Sequence, residues 1–386
     1  MRSRHRPVML MACMLALLAI SATACSAPTG SVGAGSAGSA GSAGSAGSAG
    51  GTGPAGSVGS DAPEGWREGG WRDWDASDWA REAAAFFNPV IDGLWLPGRM
   101  LQGVSPDRPV DGNFEDAGVS DPEPEPVAAR PVPVSYRDSA PVVGKLFFDT
   151  PEGPSVCSAT VVSDPASPGA SNLVWTAGHC VHAGAKGGWF RNIVFVPSYN
   201  DKGLSSEELV GVGKSRLSPF GIWWADWAQT SPQWISEGTP SGGSGSPFDF
   251  AVLHVKKPAG SDFASLEETV GGASRVMFDA PSATKIAGMS LWGYPAAPPF
   301  DGERMFSCQG RPGRLSVRDD QPSLYRVGCT MTGGSSGGGW FIEDAQGRSA
   351  LVSNTSIGPS AQTWLAGPYL GPGAKAIYDA VSDKFA

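Results

Sequence analysis

From Val142 onward the chain alternates short apolar runs with stretches rich in Gly, Pro, Asn and Ser. Such runs are typical of β-strands, and many short strands with few helices favour packed β-barrels. About 250 residues suffice for two barrels with a cleft between them. A terminal amphipathic helix is predicted over 374–385, with Ile377, Val381 and Phe385 on one side. The predicted strands are Val143–Phe148, Val156–Val162, Leu173–Thr176, Ile193–Val196, Phe250–Val255, Ser290–Tyr294, Gly313–Val317, Gly339–Ile342 and Ala350–Ser353.

A different pattern opens the chain, where three arginines precede an apolar run over residues 8–20. That run is too short for a stable membrane span and predicts a signal peptide over residues 1–24. Small residues at Ala22 and Ala24 fit cleavage by an ordinary signal peptidase. Cleavage there leaves Cys25 as the new N-terminus, as in bacterial lipoproteins, although Ala22 stands where leucine is expected. We therefore expect an extracellular protein, either secreted or anchored to the outer face of the membrane through a lipid on Cys25.

Residues 25–60 are rich in Gly, Ala and Ser, and Gly-Ser-Ala repeats in register. This composition cannot build a core, and it behaves as a flexible coil. It fits a tether between a lipid anchor and an enzyme, and it fits equally a neutral spacer without an anchor.

Residues 61–135 combine tryptophans and charges with a proline- and acid-rich stretch, Asp121–Pro126. A short helix is predicted from Ala76 to Phe87, ended by Pro89. The proline and acid alternation after it predicts an extended connector. Three interpretations stay open: a pro-segment that covers an active site and is removed near Arg130 or beyond, a surface-contact module, or a partly ordered linker.

The most informative motif for chemistry is Thr332–Trp340, in which serine is bracketed by glycines. Glycines on both sides allow a sharp turn that presents a hydroxyl and aims backbone N–H groups at a carbonyl oxygen. Ser336 is the candidate nucleophile, and the N–H groups of Gly334 and Ser336 are the candidate oxyanion hole. The same run could be a simple loop or linker, so other motifs must decide.

A general base is needed because a serine hydroxyl is a poor nucleophile at neutral pH. His179 ends the apolar run Val174–Cys180 in a small-residue turn, which is a suitable position for such a base. The other histidines suit the role less well: His5 lies in the leader, His182 in a polar loop, and His254 on a predicted strand.

A carboxylate that orients this histidine is the third requirement, since it fixes the tautomer and stabilises the imidazolium. Asp249 begins the apolar run Asp249–Leu253, which predicts a buried strand. An aspartate at such an edge can also be a turn former or a cap. Asp226 and Asp262 are competitors, but neither begins a comparable run.

Thr176–Cys180, Asp249–Leu253 and Gly334–Gly338, in that order, resemble the three catalytic motifs of trypsin-like (chymotrypsin-fold) serine peptidases, particularly the secreted bacterial branch. Subtilisins and α/β-hydrolases place their triads in other orders. The resemblance covers residues 136–386. It implies an all-β fold of two packed antiparallel six-stranded β-barrels, with the histidine and aspartate in the first barrel and the serine in the second. It also implies peptide hydrolysis through an acyl-enzyme.

The cysteines provide a further clue, because four of the six lie in the body of the chain and two, Cys13 and Cys25, in the leader. Four body cysteines suggest two disulfides in an exported protein, and three pairings are formally possible. The family resemblance implies one of them, in which the pairs are Cys157 with Cys180 and Cys308 with Cys329.

Specificity is less well defined by the sequence. A trypsin-like pocket would need an acid six residues before the nucleophile, where Thr330 stands, and a glutamyl endopeptidase would need a histidine that Ser353–Gly358 lacks. In many animal members of the family the nucleophile follows an aspartate used in activation, but here the candidate nucleophile follows Ser335. The candidate substrate-binding residues are Thr330, Met331 and Thr332 beside an uncharged pocket, Ser356 as a support for the aspartate, and Ile357 with Gly358 as a strand edge for an extended peptide.

The net charge of the chain is −9 at pH 7, and the sequence contains no basic stripe. Binding to nucleic acid is therefore disfavoured, because an acidic surface repels the phosphates. His179 and His182 are too close in sequence for a helical zinc site, and no cofactor motif is present. We expect no metal, no cofactor, a peptide or protein substrate and a monomer. A catalytically silent surface-binding module of the same fold and an esterase with the same triad are the alternative functions.

Overall fold

The computed structural model describes residues 69–73, 85–106, 109–110, 119–262, 264–344 and 346–386. Its α-helices are α1 (Pro97–Met100), α2 (Tyr136–Ser139), α3 (Lys214–Leu217), α4 (Pro232–Glu237), α5 (Leu266–Val270) and α6 (Pro372–Lys384). Single 3₁₀ turns cover Gly70–Asp73, Gly178–Cys180, Ser246–Phe248 and Ala283–Lys285. The strands are β1 (Pro109–Val110), β2 (Arg130–Pro131), β3 (Val143–Thr150), β4 (Gly153–Val162), β5 (Leu173–Thr176), β6 (Arg191–Pro197), β7 (Trp223–Thr230), β8 (Ala251–Lys256), β9 (Arg275–Val276), β10 (Met289–Gly293), β11 (Phe306–Gly310), β12 (Gly313–Leu315), β13 (Leu324–Gly328), β14 (Gly339–Glu343), β15 (Ser349–Asn354), β16 (Gly358–Pro359) and β17 (Trp364–Gly367).

Six antiparallel strands close into a barrel in the order β3–β4–β5–β8–β7–β6. Alternation along β3 explains how its apolar run is used. Leu146 and Phe148 belong to the cluster inside the barrel, whereas Phe147 packs outside, with its ring 5.7 Å from that of Trp95. Both faces of the strand are therefore covered, and this accounts for a continuous apolar run in place of alternation.

The second half of the protein consists of a six-stranded sheet, β2–β11–β10–β14–β15–β9, and a three-stranded sheet, β12–β13–β17. Both sheets contribute to one apolar cluster, which includes Leu291, Cys308, Val327, Trp340 and Leu365. The all-β, chymotrypsin-like prediction is confirmed. The expectation of two closed six-stranded barrels holds for the first half, while the described strands of the second half enclose their core without closing into a ring.

Helix α6 covers the outside of the first barrel. Ile377 and Val381 lie on its buried side and pack in a cluster with Trp175 and Val252 of the barrel. The predicted terminal helix is confirmed, and it begins slightly earlier because Pro372 fits the first helical turn, where no N–H is needed. None of the helices in the described ranges is long and apolar enough to cross a membrane.

The described parts of residues 61–135 pack against the rest of the protein. Trp95 is buried and donates from Nε1 to the Asn192 carbonyl at 2.7 Å. The Asp121 carboxylate binds the Arg314 guanidinium, with Nη2 to Oδ1 at 2.7 Å. Strand β2, within this region, adds to the edge of β11 through pairing of Arg130 with Ser307. The proline-rich stretch is therefore extended, as predicted, and is fixed to the second half of the protein.

Several sequence predictions fall outside the described residues: the signal peptide, the Gly/Ala/Ser tether, Cys25 and most of the helix predicted over 76–87. The described end of that helix, residues 85–87, is not helical, which corrects the prediction there. The reason is that the carbonyls of Ala85 and Phe87 both accept hydrogen bonds from Arg191 Nη1, at 3.0 and 2.9 Å. The buried guanidinium of Arg191 thus takes the carbonyls that a helix would use internally.

Candidate active site

His179 and Asp249 meet at one end of the first barrel. Strands β5 and β8 are antiparallel neighbours with Thr176 opposite Ala251, so the turn after β5 and the residues before β8 lie at the same end. His179 lies in the 3₁₀ turn that follows β5, and Asp249 lies just before β8. Their side chains are joined by a contact of 2.7 Å between His179 Nδ1 and Asp249 Oδ2.

The Asp249 carboxylate is completely buried and has several hydrogen-bond donors. Besides the imidazole, the backbone N–H of His179 donates to Oδ1 at 2.8 Å and the Ser356 hydroxyl donates to Oδ2 at 2.5 Å. Asn354 Nδ2 binds the Asp249 carbonyl at 3.0 Å, and Trp175 Nε1 holds the Asn354 amide. A buried carboxylate with this set of donors is fixed in orientation, and it fixes the imidazole in turn.

The loop that carries Ser336 packs directly against the histidine turn. Gly337 has a φ of +77°. A Cβ on Gly337 would lie 2.1 Å from Thr176 Oγ1 and 2.9 Å from the backbone nitrogen of Ala177. Only glycine allows this approach, because any side chain would push the loop away from the turn. Gly337 therefore brings the Ser336 loop against the turn that carries His179.

Each backbone carbonyl from Gly333 to Ser336 accepts a hydrogen bond from the surrounding structure. The donors are Ala296 N to the Gly333 oxygen at 2.6 Å, Ser158 Oγ to Gly334 at 2.9 Å, Gly338 N to Ser335 at 3.0 Å and Ser158 N to Ser336 at 2.7 Å. Because a trans peptide points its C=O and N–H in opposite directions, the bound carbonyls of Gly333 and Ser335 fix the N–H groups of Gly334 and Ser336 on the other side. Within the described residues, neither of these N–H groups donates a hydrogen bond. A candidate oxyanion hole requires donors that are not committed to another acceptor.

Ser158, which no sequence pattern singled out, holds the Ser336 loop through two hydrogen bonds. Its side chain is fully buried, donates to the Gly334 carbonyl and accepts from Tyr294 N at 2.9 Å. Its backbone N–H holds the Ser336 carbonyl. The available signal was a hydroxyl within a largely apolar strand, directly after Cys157, since buried polar groups require partners.

A buried polar network supports the loop that holds these carbonyls. Lys145 Nζ donates to the Gly302 carbonyl at 2.9 Å and to Glu303 at 3.2 Å, and the Tyr199 hydroxyl donates to Glu303 at 2.5 Å. The N–H of Gly302 donates in turn to the Pro295 carbonyl at 2.9 Å. Burial lowers the pKa of Lys145, and the neighbouring Glu303 carboxylate opposes that change. The paired charges fix the loop without contacting the reacting groups.

Both predicted disulfides are confirmed. Cys157 is bonded to Cys180, and Cys308 to Cys329. The first bond joins β4 to the histidine turn, next to Ser158 on one side and His179 on the other. Cys157, Cys180 and His179 lie close enough to hold a metal ion. However, the two sulfurs are bonded to each other, whereas zinc is bound by thiolates.

The other histidines in the described residues have different surroundings. His182 is buried against the Trp189 ring, at 5.1 Å between ring centroids, and its Nδ1 accepts from the Gly184 N–H at 3.0 Å. Burial lowers the pKa of His182 to about 4. His254 contacts Asp226, with 2.5 Å between Nδ1 and Oδ1. Asp226, a competitor at the sequence level, is therefore the partner of a different histidine.

A pocket of about 230 Å³ lies beside Ser336 and has no charged side chain in its lining. Among the residues that line it are five of the candidate substrate-binding residues, Met331, Thr332, Ser356, Ile357 and Gly358. The lining also includes Pro109, Ala297, Gly333, Ser335, Thr355, Pro359, Ser360, Gln362, Trp364 and Leu365.

Thr330, expected at the base of the pocket, does not line it. Its hydroxyl accepts a hydrogen bond from the Ala129 N–H at 2.9 Å, and its own N–H donates to the Val127 carbonyl at 2.9 Å. These contacts fix the proline-rich segment to the second half of the protein. Thr330 therefore contacts that segment and does not lie at the base of the pocket.

Several solved structures are similar to this chain. The thermostable serine protease AL20 from an extremophilic microorganism is 33% identical, with 64% of this chain and 99% of that protein covered and a TM-score of 0.51. Protease Anisep from Arthrobacter nicotinovorans is 28% identical, with 66% and 99% covered and a TM-score of 0.49. A Glu endopeptidase in complex with MPD is 18% identical, with 69% and 100% covered and a TM-score of 0.45. No protein-family model and no curated protein matches the sequence.

Proposed function

The chain belongs to the chymotrypsin-fold serine proteases of bacteria, and from that premise we propose that it is an endopeptidase with a Ser336–His179–Asp249 triad and an acyl-enzyme intermediate. The observation that carries this proposal is the buried His179–Asp249 pair at the barrel end against which the Ser336 loop packs. A histidine held in one tautomer next to the loop of a serine is the arrangement that acyl transfer requires.

In the first step Ser336 Oγ attacks the scissile carbonyl carbon while His179 Nε2 takes the hydroxyl proton. The C–N bond then breaks, and the imidazolium gives that proton to the leaving amine. Water attacks the resulting ester by the same route, which releases the acid and restores the Ser336 hydroxyl. Throughout, Asp249 stays ionised and stabilises the imidazolium.

Negative charge on the carbonyl oxygen is stabilised by the N–H groups of Gly334 and Ser336. Their directions are set before substrate arrives, because the neighbouring carbonyls are already bound. Preorganised donors of this kind lower the barrier without reorganisation during the reaction. This explains how the loop can be active although Ser335 replaces the aspartate that many family members use for activation.

The substrate is an extended peptide with an uncharged side chain in the pocket beside Ser336. Met331, Ile357 and Trp364 give the pocket an apolar lining, and a charged group would lose hydration there without gaining a partner. The backbone of Gly358, at the rim, is the edge along which we expect the extended substrate to pair.

The site of action is outside the cytoplasm, as a secreted or lipid-anchored protein. Two disulfides support this part of the proposal, since such bonds persist in oxidising compartments. Acylation at Cys25 would be seen as a mass increase on the N-terminal peptide of the exported protein.

The test compares short chromogenic peptide amides with the corresponding esters as substrates. The wild-type chain is expected to hydrolyse both, and Ser336→Ala and His179→Ala to hydrolyse neither above about 10⁻⁴ of the wild-type rate. Turnover of esters alone would indicate an esterase. No turnover of either substrate by a folded protein would contradict the proposal and favour a silent binding module.

A further inference from the structure

The strand edge beside the pocket is already occupied by the chain itself. Ile357 uses its N–H and its carbonyl on Ala366, at 3.1 and 2.8 Å. Because successive residues of a strand direct these groups to opposite edges, Gly358 presents its own groups to the other side. There β1 pairs with it in parallel, with Pro109 opposite Gly358 and Val110 opposite Pro359.

The Val110 side chain fixes β1 in this position. It is 4% exposed and belongs to an apolar cluster with Ile357 and Trp364, which also line the pocket beside the nucleophile. Gly242 covers it closely, since a Cβ on Gly242 would lie 2.9 Å from Val110 Cγ1 and 3.3 Å from Ile357 Cγ2. The contact is thus a fitted side-chain site in addition to a backbone pairing.

Both flanks of β1 are tied to the protein, on different halves. Before it, the N–H of Val104 donates to the Pro154 carbonyl and the Val104 carbonyl accepts from Val156 N, both at 3.0 Å. After it, Asp121 binds Arg314 through both backbone and side chain. A segment tied at both ends has an effective concentration on the order of millimolar at its docking edge, so a free peptide must compete with it.

We infer that Pro109–Val110 is an inhibitory ligand in cis, which occupies the peptide-binding edge at Gly358 and must leave before an extended peptide can bind. The inference rests on the proposed function, since it concerns the same active site. Pro109 forms one wall of the pocket, yet about 230 Å³ remains open beside Ser336. Small acylating reagents therefore reach the nucleophile, whereas a peptide that extends along Gly358 collides with β1.

The experiment uses the full exported chain and compares Val110→Asp with the wild type. Val119→Asp is the matched control, because Val119 precedes Asp121 in the same segment and is 60% exposed. Two readouts are measured: kcat/KM for a peptide amide that extends along Gly358, and the rate at which a small fluorophosphonate labels Ser336. Val110→Asp is expected to raise kcat/KM roughly ten- to hundred-fold, because a buried valine is lost from the docked segment. Labelling by the small probe is expected to stay unchanged, and Val119→Asp to match the wild type in both readouts.

A peptide added in trans provides the second measurement. A synthetic peptide of residues 105–114 is expected to inhibit the Val110→Asp protein competitively, and the same peptide with aspartate at position 110 to inhibit it much less. Equal peptide turnover in wild type and Val110→Asp, with Ser336 labelled in both, would overturn the inference and leave the proposed function intact. An equal rise in Val119→Asp would also overturn it. Absence of labelling in all three folded proteins would instead refute the proposed function. If Val110→Asp fails to fold, Val110→Ala replaces it, with a smaller rise expected.

Discussion

His179–Asp249 and His254–Asp226 are both histidine–aspartate pairs on the first barrel, joined through Nδ1 at 2.7 and 2.5 Å. The first lies at the barrel end that meets the Ser336 loop. The second lies along β7 and β8, where a bulge between Ala225 and Trp227 releases Asp226 from strand pairing. The two pairs have nearly the same contact distance, but one lies at the end of the barrel and the other on its side.

Their surroundings differ more than their geometry. The Asp249 carboxylate is fully buried and accepts further hydrogen bonds from the His179 N–H and the Ser356 hydroxyl. The outer pair is partly exposed, and the His254 ring stacks on Phe385 at the end of α6, with ring centroids 3.7 Å apart. The outer pair holds the terminal helix against the barrel. A histidine–aspartate contact thus marks a catalytic site only where a nucleophile and oxyanion donors lie beside it.

The largest expected effect comes from removing the charge of one aspartate at a time. Asp249→Asn keeps the shape but favours the wrong imidazole tautomer, and we expect kcat for a short peptide amide to fall about 10⁴-fold. Asp226→Asn makes the same change in the outer pair and is expected to alter kcat less than two-fold, or about 0.4 kcal/mol in activation free energy. A large loss of kcat in Asp226→Asn would break the distinction between the two pairs.

A second variant removes one support of the Ser336 loop and leaves both histidine–aspartate pairs in place. Ser158→Ala deletes the donor to the Gly334 carbonyl, and we expect kcat to fall roughly ten- to hundred-fold with little change in KM. Ser171→Ala is the matched control. Ser171 is equally buried in the first barrel, and its hydroxyl also makes two backbone hydrogen bonds, to Val162 and Leu173.

Both serine variants are expected to lower the midpoint of thermal unfolding, but only Ser158→Ala should lower kcat. Equal kcat values in the two variants would mean that Ser158 contributes to stability alone.

The smallest effect on catalysis, and an effect on stability instead, is expected at His182, a buried histidine whose ring contacts no carboxylate among the described residues. Its pKa is lowered by burial to about 4, so the folded protein resists protonation that the unfolded chain accepts near pH 6.5. Stability is therefore expected to fall as the pH drops from about 6.5 towards 4, by at most about 1.4 kcal/mol per pH unit. The measurement is the midpoint of thermal unfolding of wild type and His182→Gln across this pH range. If the midpoint of the variant depends on pH in the same way as that of the wild type, His182 is excluded as the cause.

Local patterns in the sequence predict much of the first barrel. The predicted strand Leu173–Thr176 matches β5, and the predicted strand Phe250–Val255 differs from β8 by one residue at each end. Both strands are largely buried, so each is visible in the sequence as a continuous apolar run. Strand β7 was missed, since Asp226 at its bulge interrupts the apolar pattern of Trp223–Thr230. A bulge depends on the partner strand, which no local pattern reports.

The contacts that position the site are mostly long-range, and this limits what the sequence can predict. The motif residues His179, Asp249 and Ser336 each have a local signal in glycine content or apolar flanks. Ser158 acts on a loop far along the chain, and Val110 on a strand still farther away, so neither has a local signal for its contact. Proline and acid composition around Asp121 predicts an extended chain but not the surface to which it binds.

We propose that Ser336 is a nucleophile activated by the His179–Asp249 pair. The most direct measurement is reaction of the exported chain with a fluorophosphonate, followed by mass spectrometry of the modified peptide. Ser335, next to Ser336 in the chain, is an internal control. Its hydroxyl is buried and donates a hydrogen bond to the Thr332 carbonyl at 2.6 Å. Stoichiometric labelling of Ser336 is expected in wild type and His254→Ala, and none in His179→Ala. Labelling of Ser335, or equal labelling of Ser336 with and without His179, would contradict this proposal.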